Sequence, residues 1–177
     1  MFDKQTYVNR RAKLKELVKS GIIILFGNNE SPMNYPNNTY DPFRQDSSFL
    51  YYFGQHRDGL AGVIDIDNNR EILIGDDIDI EDIVWLGKVN SVAELAAEVG
   101  VDNSAPMKAL KDICDEAKAK GRKIHFLPPY RHDIMIQIMD LLDIHPSKQK
   151  EAASLELIMA VVKQRATKEQ QEIEAIE

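Results

Sequence analysis

The candidate metal-binding residues of this sequence begin with an acidic run. Asp76, Asp77, Asp79, Glu81 and Asp82 follow one another closely, and oxygen ligands of this kind suit Ca²⁺ and Mg²⁺. The run lacks the glycine turn and the terminal Glu of an EF-hand loop. We therefore interpret it as a solvated acidic loop or helix start, where carboxylates also favour the positive end of a helix dipole.

The four histidines and the one cysteine are equally scattered. None of the histidines, His56, His125, His132 and His145, pairs with another at i,i+3 or i,i+4 or has a Cys partner at zinc-finger spacing. We expect His125 to be hydrogen-bonded in the interior or at a sheet edge, and His132 to be exposed. Cys114 falls on the inner face of a predicted helix and is interpreted as a small core residue.

Sequence motifs for a self-contained catalytic centre are absent. The chain has no Gly-x-Ser-x-Gly, P-loop or Gly-x-Gly-x-x-Gly pattern, and its nine glycines are spread singly. Asp65 and Asp67 lie at a predicted hairpin turn and are expected to be solvated. We predict no catalytic residue, no metal ligand and no cofactor within these 177 residues.

Two segments are distinctive. In the first, a loop rich in Asn and Pro runs through Arg44, Gln45, Asp46 and Ser47 into an aromatic stretch, Ser48–Phe53, that we predict to be a strand. The loop runs from residue 28 to residue 46, and a loop of this length inside a compact domain is usually functional or flexible. The second segment contains the only tryptophan of the chain, Trp85, in an acidic neighbourhood. It either packs in its own domain or is presented to a partner.

The elements around these segments predict an α/β domain with a mixed sheet of about five to six strands flanked by helices. Expected strands are Ile22–Phe26, Ala61–Ile66, Glu71–Ile74 and Lys123–Leu127, with a hairpin turn at residues 67–70. Expected helices are Asp3–Ser20, Ser91–Val99, Pro106–Lys120, Tyr130–Leu142 and Ser154–Gln164, and a last helix begins at a Thr167–Gln170 capping box.

Charge and hydropathy narrow the class of protein. Acidic residues outnumber basic ones by 29 to 22, which argues against a nucleic-acid partner bound through its phosphates. Arg10, Arg11, Lys13 and Lys15 are interpreted as the solvated face of the first helix. The longest apolar run, Ile22–Phe26, is too short to span a membrane, and the N-terminus lacks a signal-peptide pattern. We expect a soluble cytoplasmic protein.

The order of these segments resembles the N-terminal domain of Xaa-Pro aminopeptidases, in the creatinase/prolidase family. The resemblance rests on Arg10-Arg11 before the first strand, on the Pro-Phe-Arg-Gln-Asp-Ser segment within Pro42–Gly54, on Trp85-Leu86-Gly87, and on the end of the chain at Lys163–Ile173. It covers essentially the whole chain. It implies an N-terminal domain at residues 1–165, with residues 166–177 starting a pita-bread catalytic domain that lies beyond the sequence.

The resemblance also implies a function and partners. The full-length enzyme would remove an N-terminal residue that precedes proline, using two divalent metal ions, often Mn²⁺, held by the catalytic domain. This domain would contact its own catalytic domain and neighbouring subunits of a homo-oligomer. Trp85 and Asn38 would line the rim of a neighbouring subunit's substrate pocket, and Arg44, Gln45, Asp46 and Ser47 would form a structural motif.

Two alternatives stay open. The chain is also similar to a stand-alone protein-interaction module, because the peptidase-like domain of some histone chaperones keeps this fold without catalysis. Within the enzyme class, the parent is alternatively a prolidase or a creatinase. Metal ligands encoded downstream would separate an enzyme from an interaction module. Partial exposure of Trp85, expected if it serves a pocket rim, would argue against a core role.

Overall fold

The computed structural model describes residues 2–36, 38–78 and 89–175. Within these ranges a five-stranded mixed sheet is flanked by helices, which confirms the predicted fold class. The strands are β1 (Ile22–Phe26), β2 (Ala61–Asp65), β3 (Arg70–Ile74), β4 (Asn103–Ala105) and β5 (Ile124–His125). The helices are α1 (Lys4–Val18), α2 (Ser47–Phe53), α3 (Val92–Glu98), α4 (Ala109–Ala119), α5 (His132–Leu142), α6 (Pro146–Ala152), α7 (Leu155–Arg165) and α8 (Gln170–Glu174).

The sheet has the strand order β4-β3-β2-β1-β5. Strands β1, β2 and β3 are antiparallel neighbours, and the predicted hairpin joins β2 to β3. Asn69 lies in its turn with φ 47°, the left-handed conformation that Asn tolerates. The two edge strands, β4 and β5, pair in parallel with their neighbours.

Alternation along the central strands divides the core into two faces. Ile23 and Leu25 pack with α1, α2, α3 and α7 on one face, and Ile22 and Ile24 pack with α4 and α5 on the other. Cys114 of α4 belongs to the second face and is buried, as predicted. The short elements β4 and α6 are not indicated by the sequence patterns.

The prediction of an aromatic strand before Gly54 is wrong, because Ser47–Phe53 forms α2. The Asp46 side chain accepts hydrogen bonds from the first backbone N–H groups of the helix, including Phe49 N at 2.8 Å, and Gly54 ends it in the left-handed conformation. Phe49 and Phe53 lie one helical turn apart and their rings stack at 5.4 Å. Local capping and this spacing outweigh the β-propensity of aromatic residues.

The interpretation of Arg10 and Arg11 as solvated residues is wrong as well. Their side chains are 2% and 0% exposed, because backbone carbonyls and carboxylates from distant segments satisfy their guanidinium groups. Lys13 does lie on the exposed face, beside Glu16, whereas Lys15 is half-buried and pairs with Glu71.

The hairpin carboxylates also differ from expectation. Asp65 is buried, not solvated, and Arg122 and Asn68 donate hydrogen bonds to it. Burial opposes ionisation of Asp65, but these bonds outweigh it and hold its pKa below the ordinary value. Asp67 is exposed as predicted, and it accepts from Arg122 Nε at 2.7 Å and from Gly21 N at 3.0 Å.

His125 and His132 are placed as predicted. His132 is exposed at the start of α5, and His125 is buried in β5. The ring of His125 makes hydrogen bonds with Ser154 Oγ at 2.6 Å and with the Ser20 carbonyl oxygen at 3.0 Å. Burial lowers the pKa of His125, so the neutral ring is the form that joins β5 to the start of α7.

The last helix begins later than predicted. Glu169, not Thr167, is the N-cap of α8, and Glu172 completes a capping box with it. Arg10 holds Glu169 in this position at 2.7 Å. This ion pair joins the start of α8 to α1. None of the helices in residues 2–36, 38–78 and 89–175 combines the length and the apolar character that a membrane span needs.

Candidate binding surface

Residues 31–36 and 38–40 of the long loop after β1 form an arm. An isolated antiparallel bridge joins Pro32 to Thr39, and Tyr40 N donates to the Ser31 carbonyl at 3.1 Å. Asn38 lies at the turn of the arm, where its carbonyl accepts from Met33 N at 2.8 Å. The arm is thus held by its own backbone.

The side chains of the arm are unusually apolar for a solvated loop. Met33, Tyr35 and Tyr40 are 48%, 71% and 63% exposed, and the Asn38 residue is also exposed. Tyr and Met are enriched where proteins contact partners, because they offer a large apolar area. The arm presents such an area to solvent.

Gln45 fixes the base of the arm. Its amide oxygen accepts from Asn28 N at 2.6 Å and from Asp46 N at 2.8 Å, and its amide nitrogen donates to the Arg57 carbonyl at 2.8 Å. One side chain therefore joins the end of β1, the start of α2 and the chain before β2. The Arg44 carbonyl also accepts a hydrogen bond from Asn28 Nδ2 at 2.8 Å, which strengthens this connection.

Asp46 and Ser47 connect the base of the arm to other helices. Asp46 caps α2 with one carboxylate oxygen and accepts from the Tyr130 hydroxyl, at 3.1 Å, with the other. Ser47 Oγ lies 3.3 Å from the Arg165 guanidinium at the end of α7. All four residues of the Arg44–Ser47 segment therefore make hydrogen bonds that position the arm.

Arg131 supports the start of the arm and was not singled out from the sequence. Its guanidinium donates to the Asn29 carbonyl at 2.9 Å and to Ser31 Oγ at 2.6 Å, and it pairs with Asp133 at 3.1 Å. Burial would raise the pKa of Asp133, but the bonds from Arg131 and Asn29 leave it below the ordinary value. The Pro128-Pro129 break before it is the only local signal of this connection.

An open groove of about 630 Å³ lies between the base of the arm and α5. Carboxylates predominate among its charged residues, which are Arg57, Asp58, Asp76, Asp133 and Asp140. Ile136 adds a 54% exposed apolar side chain. This combination suits an extended ligand with a positively charged group and an apolar side chain.

The two residues that border the segment 79–88 contribute to this groove. Ile78 and Val89 line it, but Trp85 itself lies outside the described residues, as do Asp79, Glu81 and Asp82. The other members of the acidic run bind the backbone. Asp76 accepts from Met107 N at 2.9 Å, and Asp77 accepts from Val92 N at 2.6 Å.

The carboxylates that line the groove are not arranged as a metal site. In the ranges 2–36, 38–78 and 89–175, no group of three or more His, Cys, Asp or Glu residues is arranged to hold a metal ion. Burial raises the pKa of the Cys114 thiol to about 11, so the thiolate is rare at neutral pH. What the described surface offers is binding and positioning.

The fold and this surface define the chain as an α/β domain that presents an arm and a groove. A family model described as aminopeptidase P, N-terminal domain, matches residues 7–125, which is well over half of the chain. The chain belongs to that family, and its predicted membership is confirmed.

Curated relatives match a shorter segment. Xaa-Pro dipeptidase from Homo sapiens is 29% identical over 93 residues, which is 52% of this chain and 19% of that protein. Xaa-Pro dipeptidase from Mus musculus is 28% identical over 101 residues, which is 54% of this chain and 20% of that protein. The matched segment thus spans about a fifth of these relatives.

Solved structures share the fold over nearly the whole chain. Aminopeptidase PepP from Pseudomonas aeruginosa is matched with a TM-score of 0.77 at 20% identity, covering 98% of this chain and 40% of that one. A putative aminopeptidase P from Bacillus anthracis is matched with a TM-score of 0.76 at 15% identity, covering 98% and 42%. At these identities the likeness shows the fold alone.

Proposed function

We propose that this chain is the non-catalytic N-terminal domain of a metal-dependent Xaa-Pro aminopeptidase, which removes an N-terminal residue preceding proline. The observation that carries the proposal is that the structural match takes in nearly all of this chain but less than half of the related enzyme. Aminopeptidase PepP matches 98% of this chain, whereas this chain covers only 40% of PepP. Together with the family match, this coverage supports a parent protein in which a further domain performs the cleavage.

Two divalent metal ions, which we expect to be Mn²⁺, would belong to that further domain. Such ions activate water and polarise the scissile carbonyl. The described residues of this chain provide no ligand set that fits them. We therefore assign no step of the reaction to this chain and propose for it a role in positioning.

We propose that the arm and Trp85 form part of the rim of a substrate pocket, in a neighbouring subunit of a homo-oligomer. Exposed Asn38, Tyr35 and Tyr40 on a firmly based arm support this role. The groove beside residues 78 and 89 has the excess of carboxylates that would favour the protonated amino terminus of a peptide. These features suit an aminopeptidase, whose substrate carries that charge.

A second candidate for the parent is an Xaa-Pro dipeptidase. The observation in its favour is the curated match, because the human and mouse dipeptidases are both 28–29% identical to this chain over about half its length. Both candidates share the positioning role of this domain, and they differ in the length of peptide that the parent accepts.

The test uses the product of the full gene that encodes this chain, loaded with Mn²⁺. We expect it to release the first residue of Xaa-Pro-Yaa tripeptides. Trp85→Ala should lower kcat/KM by about tenfold to hundredfold, the usual effect of one pocket aromatic, and Asn38→Ala should lower it less. Lys13→Ala, on the exposed face of α1, is the control and should leave kcat/KM unchanged.

Three outcomes decide between the candidates. Cleavage of Xaa-Pro dipeptides with no cleavage of tripeptides would replace the aminopeptidase with the dipeptidase. Absence of any Xaa-Pro cleavage would leave the stand-alone interaction module. Normal kinetics of the Trp85→Ala and Asn38→Ala variants would remove the pocket-rim role while keeping the enzyme.

A further inference from the structure

Helix α7 exposes an apolar stripe. Leu155, Met159 and Val162 are 67%, 60% and 56% exposed, and their spacing of four and three residues places them on one side of the helix. The opposite side of α7 is buried in the core through Leu157 and Val161. Leaving three large apolar side chains of one helix in water is unfavourable, and such stripes mark contact surfaces.

Opposite charges flank the two ends of this stripe. Glu156 and Lys163 are seven residues apart, so they lie on the same flank of α7 and about 10.5 Å apart along its axis. Glu156 pairs with Lys123 at 2.7 Å, and both partners are more than half exposed. Among the residues that the structure describes, Lys163 makes no ion pair.

This arrangement is complementary to itself. When two copies of a helix pack antiparallel around a two-fold axis, each flank meets the same flank of the partner with its ends exchanged. Met159 then meets its own copy near the axis, and Leu155 meets Val162. On the flank, Glu156 of each copy lies level with Lys163 of the other, so each Lys163 adds a second cation beside a Glu156 that already pairs with Lys123.

We propose that α7 is the contact surface for a second copy of this chain, packed antiparallel through Leu155, Met159 and Val162, with two Glu156–Lys163 ion pairs across the contact. This inference rests on the homo-oligomer proposed above and gives it a contact surface. One helix stripe is smaller than a standard interface of about 1,600 Å². The dimer is therefore weak, as contacts that bury less than about 1,200 Å² usually are.

Sedimentation velocity of the 177-residue chain from about 10 µM to about 1 mM, concentrations that populate a weak dimer, tests the proposal. We expect a monomer–dimer equilibrium that Met159→Glu weakens at least tenfold. Ile136→Glu is the matched control, because Ile136 is a similarly exposed apolar residue on α5, and it should leave the equilibrium unchanged. Equal weakening by both variants, or by neither, would overturn the assignment to α7.

A charge exchange tests the antiparallel pairing. Glu156→Lys and Lys163→Glu should each weaken self-association, because each places like charges opposite one another. An equimolar mixture of these two variants restores both ion pairs and should associate like the original chain. The mixture also controls for folding, and circular dichroism melting curves check each variant alone.

The outcomes separate this inference from the proposed function. A mixture that associates no better than the single variants would refute antiparallel pairing. A chain that stays monomeric up to 1 mM would refute the second copy and leave the downstream part of the parent as the occupant of the stripe. Neither result alters the cleavage assay of the parent, which tests the proposed function separately.

Discussion

The interior of the domain and its terminal segment are each held by an arginine of α1, and the two arginines are neighbours in sequence. Arg11 binds groups of the domain body, an arrangement named the hub. Arg10 binds the terminal helix α8, an arrangement named the clasp. Both side chains are almost completely buried. Their partners differ in burial, and this difference decides how much each arginine contributes to the stability of the fold.

The hub joins α1 to three distant segments. Arg11 Nε donates to Glu71 at 2.6 Å, and its other nitrogens donate to the carbonyl oxygens of Tyr52, Val99 and Gly100 at 2.9, 2.8 and 3.1 Å. Removing the guanidinium would leave the three carbonyl oxygens without this donor away from water, whereas Glu71 would keep its pairing with Lys15. Such orphaned groups cost far more than the net value of the bonds that satisfy them.

The clasp has one buried side and one open side. The Arg10 guanidinium lies 3.8 Å from the centre of the Tyr51 ring and donates to the Tyr51 carbonyl at 3.1 Å. Its ion-pair partner Glu169 is 39% exposed, so water can replace the arginine there. A helix as short as α8 is not stable alone. Arg10 therefore holds the terminal segment in place and contributes only a modest stabilising free energy.

The largest effect is expected at the hub. Arg11→Met should lower the free energy of unfolding by about 3–5 kcal/mol, because it leaves three carbonyls without their donor and removes one of the two cations that pair with Glu71. Lys13→Met, on the exposed face of the same helix, should change it by less than about 0.5 kcal/mol. Urea denaturation followed by circular dichroism measures both. A loss below about 1 kcal/mol for Arg11→Met would contradict the comparison.

A smaller and local effect is expected at the clasp. Glu169→Gln should accelerate amide hydrogen exchange in residues 166–175 by about fivefold, equivalent to about 1 kcal/mol, and leave the urea midpoint nearly unchanged. Glu174→Gln is the control, since Glu174 lies in the same helix and bonds only Gln170 at 3.1 Å among the described contacts. Unchanged exchange in this segment, or a loss of global stability as large as that of Arg11→Met, would show that the two regions do not differ as described.

The smallest effect is a dependence of the clasp on pH. Burial would raise the pKa of Glu169, but the hydrogen bonds from Arg10 and Gln171 leave it below the ordinary value. Because the folded pKa is depressed, the stabilisation is complete above the ordinary carboxyl range and is lost as the pH falls through the lowered pKa. The amide exchange rates of α8 in the original chain and in Glu169→Gln should differ at pH 7 and converge as the pH falls to 3. A constant difference would exclude this carboxylate as the titrating group.

Much of the fold was predictable because its signals are local. The Ser91–Glu94 capping box, the hairpin turn at Asn69 and the buried strand β1 all follow from residues within a few positions of each other. Of the site, the sequence singled out the Arg44–Ser47 segment and Asn38. It did not indicate Arg131, whose partners Asn29 and Ser31 lie about a hundred residues earlier.

The sequence by itself determined the alternation of strands and helices, the long loop after β1 and the order of segments that places the chain in its family. Only the tertiary structure decided that Arg10 and Arg11 are buried and that Arg10 pairs with Glu169 at the start of the last helix. The physical reason is the same in each case. A polar side chain is buried where acceptors from distant segments meet it, and no local pattern reveals where those segments converge.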